Sequence, residues 1–259
     1  LWRKERDGLI AAGSSKWFKR VFAQYNENYL LRRHFHAFQL SGEIDPAPQG
    51  QPVLYLMNHS SWWDGMVVYH AIANASAREH YMMMDEEQMK RYRFFRKIGA
   101  FSIDKKSSRA IVASLRYSEN LLNQGYGVWL FPQGDIEHLE RRPLRFQTGA
   151  GYLLERCPET IVQPVTAYYS LGLHQKAEVS LQFGKPIHRV WQQLGRKTIT
   201  RMLESALEDQ LNEHRLAVIA AARGETAEYR SMLKAKRSTN EVFDAWMNGV
   251  TRWKSFFGR

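Results

Sequence analysis

The stretch that most constrains this chain is Val53-Leu54-Tyr55-Leu56-Met57 followed by Asn58-His59-Ser60-Ser61-Trp62-Trp63-Asp64. The apolar run, bounded by Pro52 and by polar residues, reads as a buried strand. The polar residues then fall at its carboxyl end, where open α/β sheets carry their chemistry. If the chain turns there from strand into helix, Asp64 can hold one imidazole nitrogen of His59 and leave the other free as a base. A base aimed at a hydroxyl is what acyl transfer to an alcohol requires. The bland reading is that His59 caps a helix or satisfies a buried carbonyl.

Three later segments come in a matching order. They are Ile98-Gly99-Ala100-Phe101-Ser102-Ile103-Asp104-Lys105, Phe131-Pro132-Gln133-Gly134-Asp135-Ile136 and Ile161-Val162-Gln163-Pro164-Val165. With Asn58, His59, Ser61 and Asp64 they resemble the motifs of the glycerophospholipid acyltransferases, typified by lysophosphatidic acid acyltransferase. The likeness spans residues 40–186. It implies a single glycerol-phosphate-acyltransferase-like α/β domain with a mixed sheet flanked by helices. It also implies catalysis by His59 and Asp64. The donor implied is a fatty acyl thioester, acyl-CoA or acyl carrier protein, as co-substrate with no further cofactor.

The departures bear on the acceptor. Gln133 stands where the family has Glu, which keeps a hydrogen-bonding amide but removes a charge. Ile136 stands where the family offers Arg to a phosphate, and Gln147 precedes Thr148-Gly149 where a basic residue is usual. Lys105, where Arg is usual, and Arg141, Arg142 and Arg145 are the cations that can compensate. Asn58, Ser61, Gln133 and Gly134 complete the expected substrate-binding set. The oxyanion would take donors from backbone N–H groups or the Gln133 amide. Ser60 and Ser61 beside His59 leave a Ser–His arrangement open.

The chain has 259 residues and a net charge of +11, which implies an anionic partner: a membrane surface, an acidic substrate or nucleic acid. Cys157 is its single cysteine, so no internal disulfide forms and a structural role is expected. The histidines show no metal-ligand spacing, and no metal site is expected. No apolar run reaches the ~18 residues of a membrane-spanning helix.

Residues 1–39 read as an amphipathic N-terminal helical segment, 40–190 as the α/β core and 191–259 as a helical extension. Trp17, Phe18, Val21, Phe22, Tyr25 and Tyr29 recur at helical spacing among Lys16, Lys19, Arg20, Arg32 and Arg33. Packing on the sheet and contact with a membrane both fit that stripe. Strands are predicted over 53–57, 80–84, 100–103, 127–131, 161–169 and 177–183. Helices are predicted over 63–75, 86–96, 108–123, 149–156 and 196–222, with Gly224 helping to end the last. Val242, Phe243, Trp246, Met247, Val250, Trp253, Phe256 and Phe257 form an aromatic stripe over 240–257, the pattern of an interfacial helix about 27 Å long.

The reading is therefore a cytoplasmic, peripheral membrane O-acyltransferase. It would move a fatty acyl group from a thioester to a lipid hydroxyl, first of all a lysophospholipid, at an anionic surface. A glycolipid or glycosylated carotenoid acceptor is the alternative within the class. A basic nucleic-acid-binding protein and a non-catalytic lipid-binding protein are the alternatives outside it. The first explains neither the His59–Asp64 pair nor the ordered motifs, so no nucleic-acid partner is expected; Gln133 favours the second, and the retention of both His59 and Asp64 counts against it.

Overall fold

The computed structural model describes residues 9–172, 174–223 and 229–233, together with Phe243, Trp246 and Met247. Ser15 starts α1 (Lys16–Tyr25), its hydroxyl accepting from Phe18 N–H. The helix continues through a π-helical turn, Asn26–Leu31, and α2 (Arg32–His34). At Phe35 the backbone becomes extended and β1 (Phe35–Ser41) begins. Helical spacing over the basic, aromatic segment thus overruns into a strand. Pairing with a distant strand decides the conformation of residues whose local pattern favours helix.

Alternation then sets in: β2 (Val53–Met57), α3 (Asp64–Ala75), β3 (His80–Asp85), α4 (Glu86–Arg91), a 3-10 turn at Arg93–Ile98 and β4 (Ala100–Ile103). It continues with α5 (Ser108–Asn123), β5 (Gly127–Leu130), α6 (Gly149–Arg156), β6 (Ile161–Ser170), β7 (Ala177–Phe183), α7 (Arg196–Ala222) and the short β8 (Arg230–Ser231). Gly224 lies outside the described residues, as does the 240–257 helix apart from Phe243, Trp246 and Met247. Those three are helical and exposed.

The strands form one mixed sheet in the order β4-β3-β5-β2-β6-β7-β1-β8. β4, β3, β5, β2 and β6 run parallel, β7 is antiparallel to β6, and β1 is parallel to β7. All of β2 is buried, because both faces of the sheet are covered. Val53, Tyr55 and Met57 face a core with α3 residues Met66, Val67 and Val68 and with Phe22 of α1. Leu54 and Leu56 face the opposite core, with Leu115 and Leu122 of α5, Leu153 and Leu154 of α6, and Ile199 and Leu203 of α7. Two-sided burial holds β2 rigid at the centre, so the turn leaving its carboxyl end starts from a fixed point.

A Cβ at Gly127 would stand 2.7 Å from His80 Nδ1, so glycine lets β5 approach β3. His80 and Trp129 share that contact, the indole N–H donating to Nδ1 at 3.0 Å. Burial lowers the His80 pKa to about 3, keeping the ring neutral. Cys157 is buried, and burial pushes its thiol up to about 11, in keeping with a structural role.

Candidate active site

β5, β2 and β6 are parallel neighbours, so their carboxyl ends lie side by side. The site is built from the residues at those three ends. Asn58 ends β2 and clamps it to β6: Ala167 N–H donates to Asn58 Oδ1 at 2.8 Å, and Nδ2 donates to Ala167 O at 3.1 Å. Asn58 therefore fixes the backbone just before His59. Ser61 stabilises the next turn, its hydroxyl accepting from Trp63 N–H at 3.1 Å. Asp64 opens α3 behind it.

That turn brings His59 and Asp64 together. His59 Nδ1 lies 2.7 Å from Asp64 Oδ2. The same oxygen accepts from the N–H groups of Ser60 at 2.8 Å and Ser61 at 3.0 Å. The Tyr169 hydroxyl, at the far end of β6, donates to Asp64 Oδ1 at 2.6 Å. Burial, then the charge of Asp64, raises the Tyr169 pKa well above its ordinary value, so the phenol keeps its proton and donates.

Asp64 is fully buried, while the His59 side chain keeps 21% exposure. A carboxylate only accepts, so Nδ1 carries the hydrogen and Nε2 is left with a lone pair. Nε2 has no hydrogen-bond partner among the described residues. The ring stacks on Phe131 at 4.3 Å between centroids, which fixes its plane. The arrangement can take a proton from a hydroxyl presented at Nε2 and stabilise the imidazolium that results. Neither Ser60 nor Ser61 hydrogen-bonds the imidazole through its hydroxyl among the described residues.

Gln133, in the loop after β5, accepts from His59 N–H through Oε1 at 2.8 Å. An amide oxygen does here what a carboxylate oxygen would do, so the neutral residue preserves the support. With Oε1 turned to His59, the Nε2 amide remains as the group's donor. Gly134 adopts φ +86°, the left-handed region, so the loop turns sharply directly after Gln133. Glu137 N–H donates to His59 O at 2.9 Å, tying the loop to the first motif.

The four expected cations separate. Lys105 pairs with Asp135, donates to Gly134 O at 3.1 Å and lies 3.7 Å from Asp85. Arg141 pairs with Glu137. Arg142 donates to Asn212 Oδ1 at 3.0 Å and to the carbonyls of Leu139 and Arg141 at 2.9 Å. Arg145 is exposed and has no ion pair or hydrogen bond among the described residues. It is held at the surface by its neighbours: Leu144 N–H donates to Glu208 at 2.6 Å and Phe146 N–H to Glu204 at 2.7 Å. Three of the cations are thus engaged with other groups of the protein.

Tyr169 was not among the residues singled out from sequence. Its strand was anticipated over 161–169, but the pairing of β2 with β6 that brings it to Asp64 has no local signature.

A sheet that brings a buried carboxylate, a fixed imidazole and an ordered loop to its strand ends holds the groups of a general-base site. The sequence model of the acyltransferase family matches residues 41–168, and this segment of the chain belongs to that family. It is an acyltransferase, and the resemblance to the glycerophospholipid acyltransferases is borne out. No curated protein matches the chain in sequence. Among solved structures, the fold resembles that of the 1-acyl-sn-glycerophosphate (LPA) acyltransferase PlsC from Thermotoga maritima. That likeness has a TM-score of 0.53 at 14% identity and covers 77% of this chain and 93% of the other. At such identity it is a likeness of fold.

Proposed function

We propose that the protein transfers a fatty acyl group from a thioester, acyl-CoA or acyl carrier protein, to the hydroxyl of a lysophospholipid at an anionic membrane surface. The observation that carries this reading is the 2.7 Å contact of His59 Nδ1 with Asp64, with Nε2 left without a partner among the described residues. In this reading His59 takes the acceptor's proton as its oxygen attacks the thioester carbonyl. The tetrahedral intermediate then collapses with loss of the thiolate, which takes up a proton. Asp64 holds the tautomer and balances the imidazolium, and Tyr169 and the Ser60 and Ser61 amides hold Asp64. The Gln133 amide N–H and backbone N–H groups are the oxyanion donors in reach of this design. The test is mass spectrometry of lipid products formed from an acyl thioester and a mixed lysolipid extract. Products one acyl chain heavier than a lysophospholipid are expected; acylation of glycolipids alone would favour the other acceptor class.

The membrane part of the proposal draws on α1. The aromatic stripe read from sequence divides into two faces. Phe22 is buried and, with Phe18, packs on Phe94, while Trp17 is 72% exposed. Val21, Tyr25 and Tyr29 join Trp17 on the outer face, four residues apart, with Lys16, Arg20 and Arg33 exposed near them. Trp62, beside the catalytic turn, is also 52% exposed. An apolar strip with a basic border suits an anionic interface. No helix among the described residues is long and apolar enough to cross a membrane. Trp17→Glu is expected to lower partition into anionic vesicles by about 10-fold, since it removes an inserting ring and adds a repelled charge. Unchanged flotation of the variant would place the contact elsewhere.

The acceptor's phosphate has fewer free cations to meet than the sequence offered, because Lys105, Arg141 and Arg142 are engaged. Arg145 is the candidate that remains. Arg145→Glu is expected to raise the KM for lysophosphatidic acid about 10-fold and to leave that of a neutral lipid alcohol nearly unchanged. Paired acceptor titrations on both proteins check this. Equal shifts for the two acceptors would remove Arg145 from phosphate recognition.

A further inference from the structure

We propose that His36, His174 and Glu178 bind one divalent transition cation of the zinc class, at a site separate from the His59–Asp64 pair. Sequence spacing gave no hint of it, because the ligands come from β1, from the turn between β6 and β7, and from β7. The fold assembles them through a bulge. Phe35 pairs with Ala177 and Ala37 with Glu178, so His36 is the extra residue of β1 at a shift in register. A bulge re-aims the side chain it carries. Here the His36 ring lies against the His174 ring, 3.4 Å between centroids and 12° from parallel. His174 Nε2 stands 4.0 Å from Glu178 Oε1.

One donor atom from each residue lies within 4.8 Å of the others. The Nδ1 atom of His36 is buried and has no hydrogen-bond partner among the described residues. A buried imidazole nitrogen without a partner is costly, and a cation satisfies it. Two imidazole nitrogens and a carboxylate oxygen form a donor set that suits zinc, cobalt or nickel better than magnesium or calcium. Metal–ligand distances near 2.0–2.2 Å in tetrahedral geometry place donor atoms roughly 3.3 Å apart. Donor atoms up to 4.8 Å apart would therefore close by as much as about 1.5 Å, and because an imidazole lone pair lies in the ring plane, the His174 ring would turn out of its stack on His36 to share the cation.

The position gives the site a structural consequence. Phe35, next to His36, packs on Trp63 at 5.2 Å and on Tyr169 at 6.1 Å between ring centroids. Glu178 pairs with Ser170, the residue after Tyr169. A cation here ties β1 and the β6–β7 turn together beside the strand end that holds Asp64.

The test is calorimetric titration of the tag-free full chain with Zn2+, with Co2+ as a spectroscopic probe. One equivalent is expected to bind, with Co2+ giving the intense visible bands of a four-coordinate nitrogen and oxygen site. His36→Gln and Glu178→Gln are each expected to weaken binding about 100-fold, and His59→Ala is expected to leave it unchanged. The absence of saturable binding would overturn the proposal. So would equal affinity in either ligand variant, or affinity lost in His59→Ala and kept in the other two. Should a ligand variant fail to fold, the Co2+ spectrum of the unaltered protein decides, weak six-coordinate bands overturning the site.

Discussion

His59→Ala is expected to lower the turnover of acyl transfer by about 10³-fold while leaving the protein folded. General bases contribute typically 10²- to 10⁴-fold, and no other imidazole among the described residues is bonded to a carboxylate at this strand end. The fold survives because the ring is partly exposed. The neighbouring backbone is held by other groups: Asn58 clamps it to β6, and Gln133 accepts from the His59 N–H, which alanine keeps. The KM values for donor and acceptor should change little, since the imidazole is asked to act mainly in the transition state. Circular dichroism alongside steady-state kinetics checks both halves. A large KM rise with kcat preserved would recast His59 as a binding residue.

Asp64→Asn should show a different pattern, losing about 10²-fold in kcat and some stability as well. The buried carboxylate takes four donors: His59 Nδ1, the amides of Ser60 and Ser61, and the Tyr169 hydroxyl. An Asn amide has one oxygen. Placed at the Oδ2 position, it still meets His59 and the two backbone amides, and its NH2 faces Tyr169. The phenol must then turn from donor to acceptor. The tautomer of His59 is kept in this orientation, so the loss is milder than where a substitution reverses the tautomer. What goes is the charge that balances the imidazolium. The disturbed Tyr169 contact should cost about 1–3 kcal/mol of stability. A melting curve identical to wild type, with full turnover, would mean that Asp64 supports neither the ring nor the fold.

The His59–Asp64 turn was legible because its two ends are local. A buried strand followed within seven residues by His59 and Asp64 states both the position and the pairing. Strands β2 to β7 and helices α3 and α5 to α7 were anticipated from periodicity, because each carries an uninterrupted pattern. β1 was not, since residues 1–39 read as one helical segment and nothing before β7 announces the pairing of Phe35–Ser41. The same limit hid Tyr169 and the His36, His174 and Glu178 cluster: both depend on which strands become neighbours. The stripe on α1 was seen, but sequence could not divide the packed Phe18 and Phe22 from the exposed Trp17 and Tyr25. Gln133 was read as an oxyanion donor. The fold shows its oxygen accepting from His59 N–H, a support role that a list of motif residues does not reveal.

The most direct test of the account is transfer of a labelled acyl chain from a thioester to lysophosphatidic acid in anionic vesicles, run side by side with wild type and His59→Ala. The account expects labelled phosphatidic acid from wild type, no label left on the denatured protein, and about 10³-fold slower product formation by His59→Ala. Equal product from both proteins, or none from wild type with donor and acceptor saturating, would contradict it.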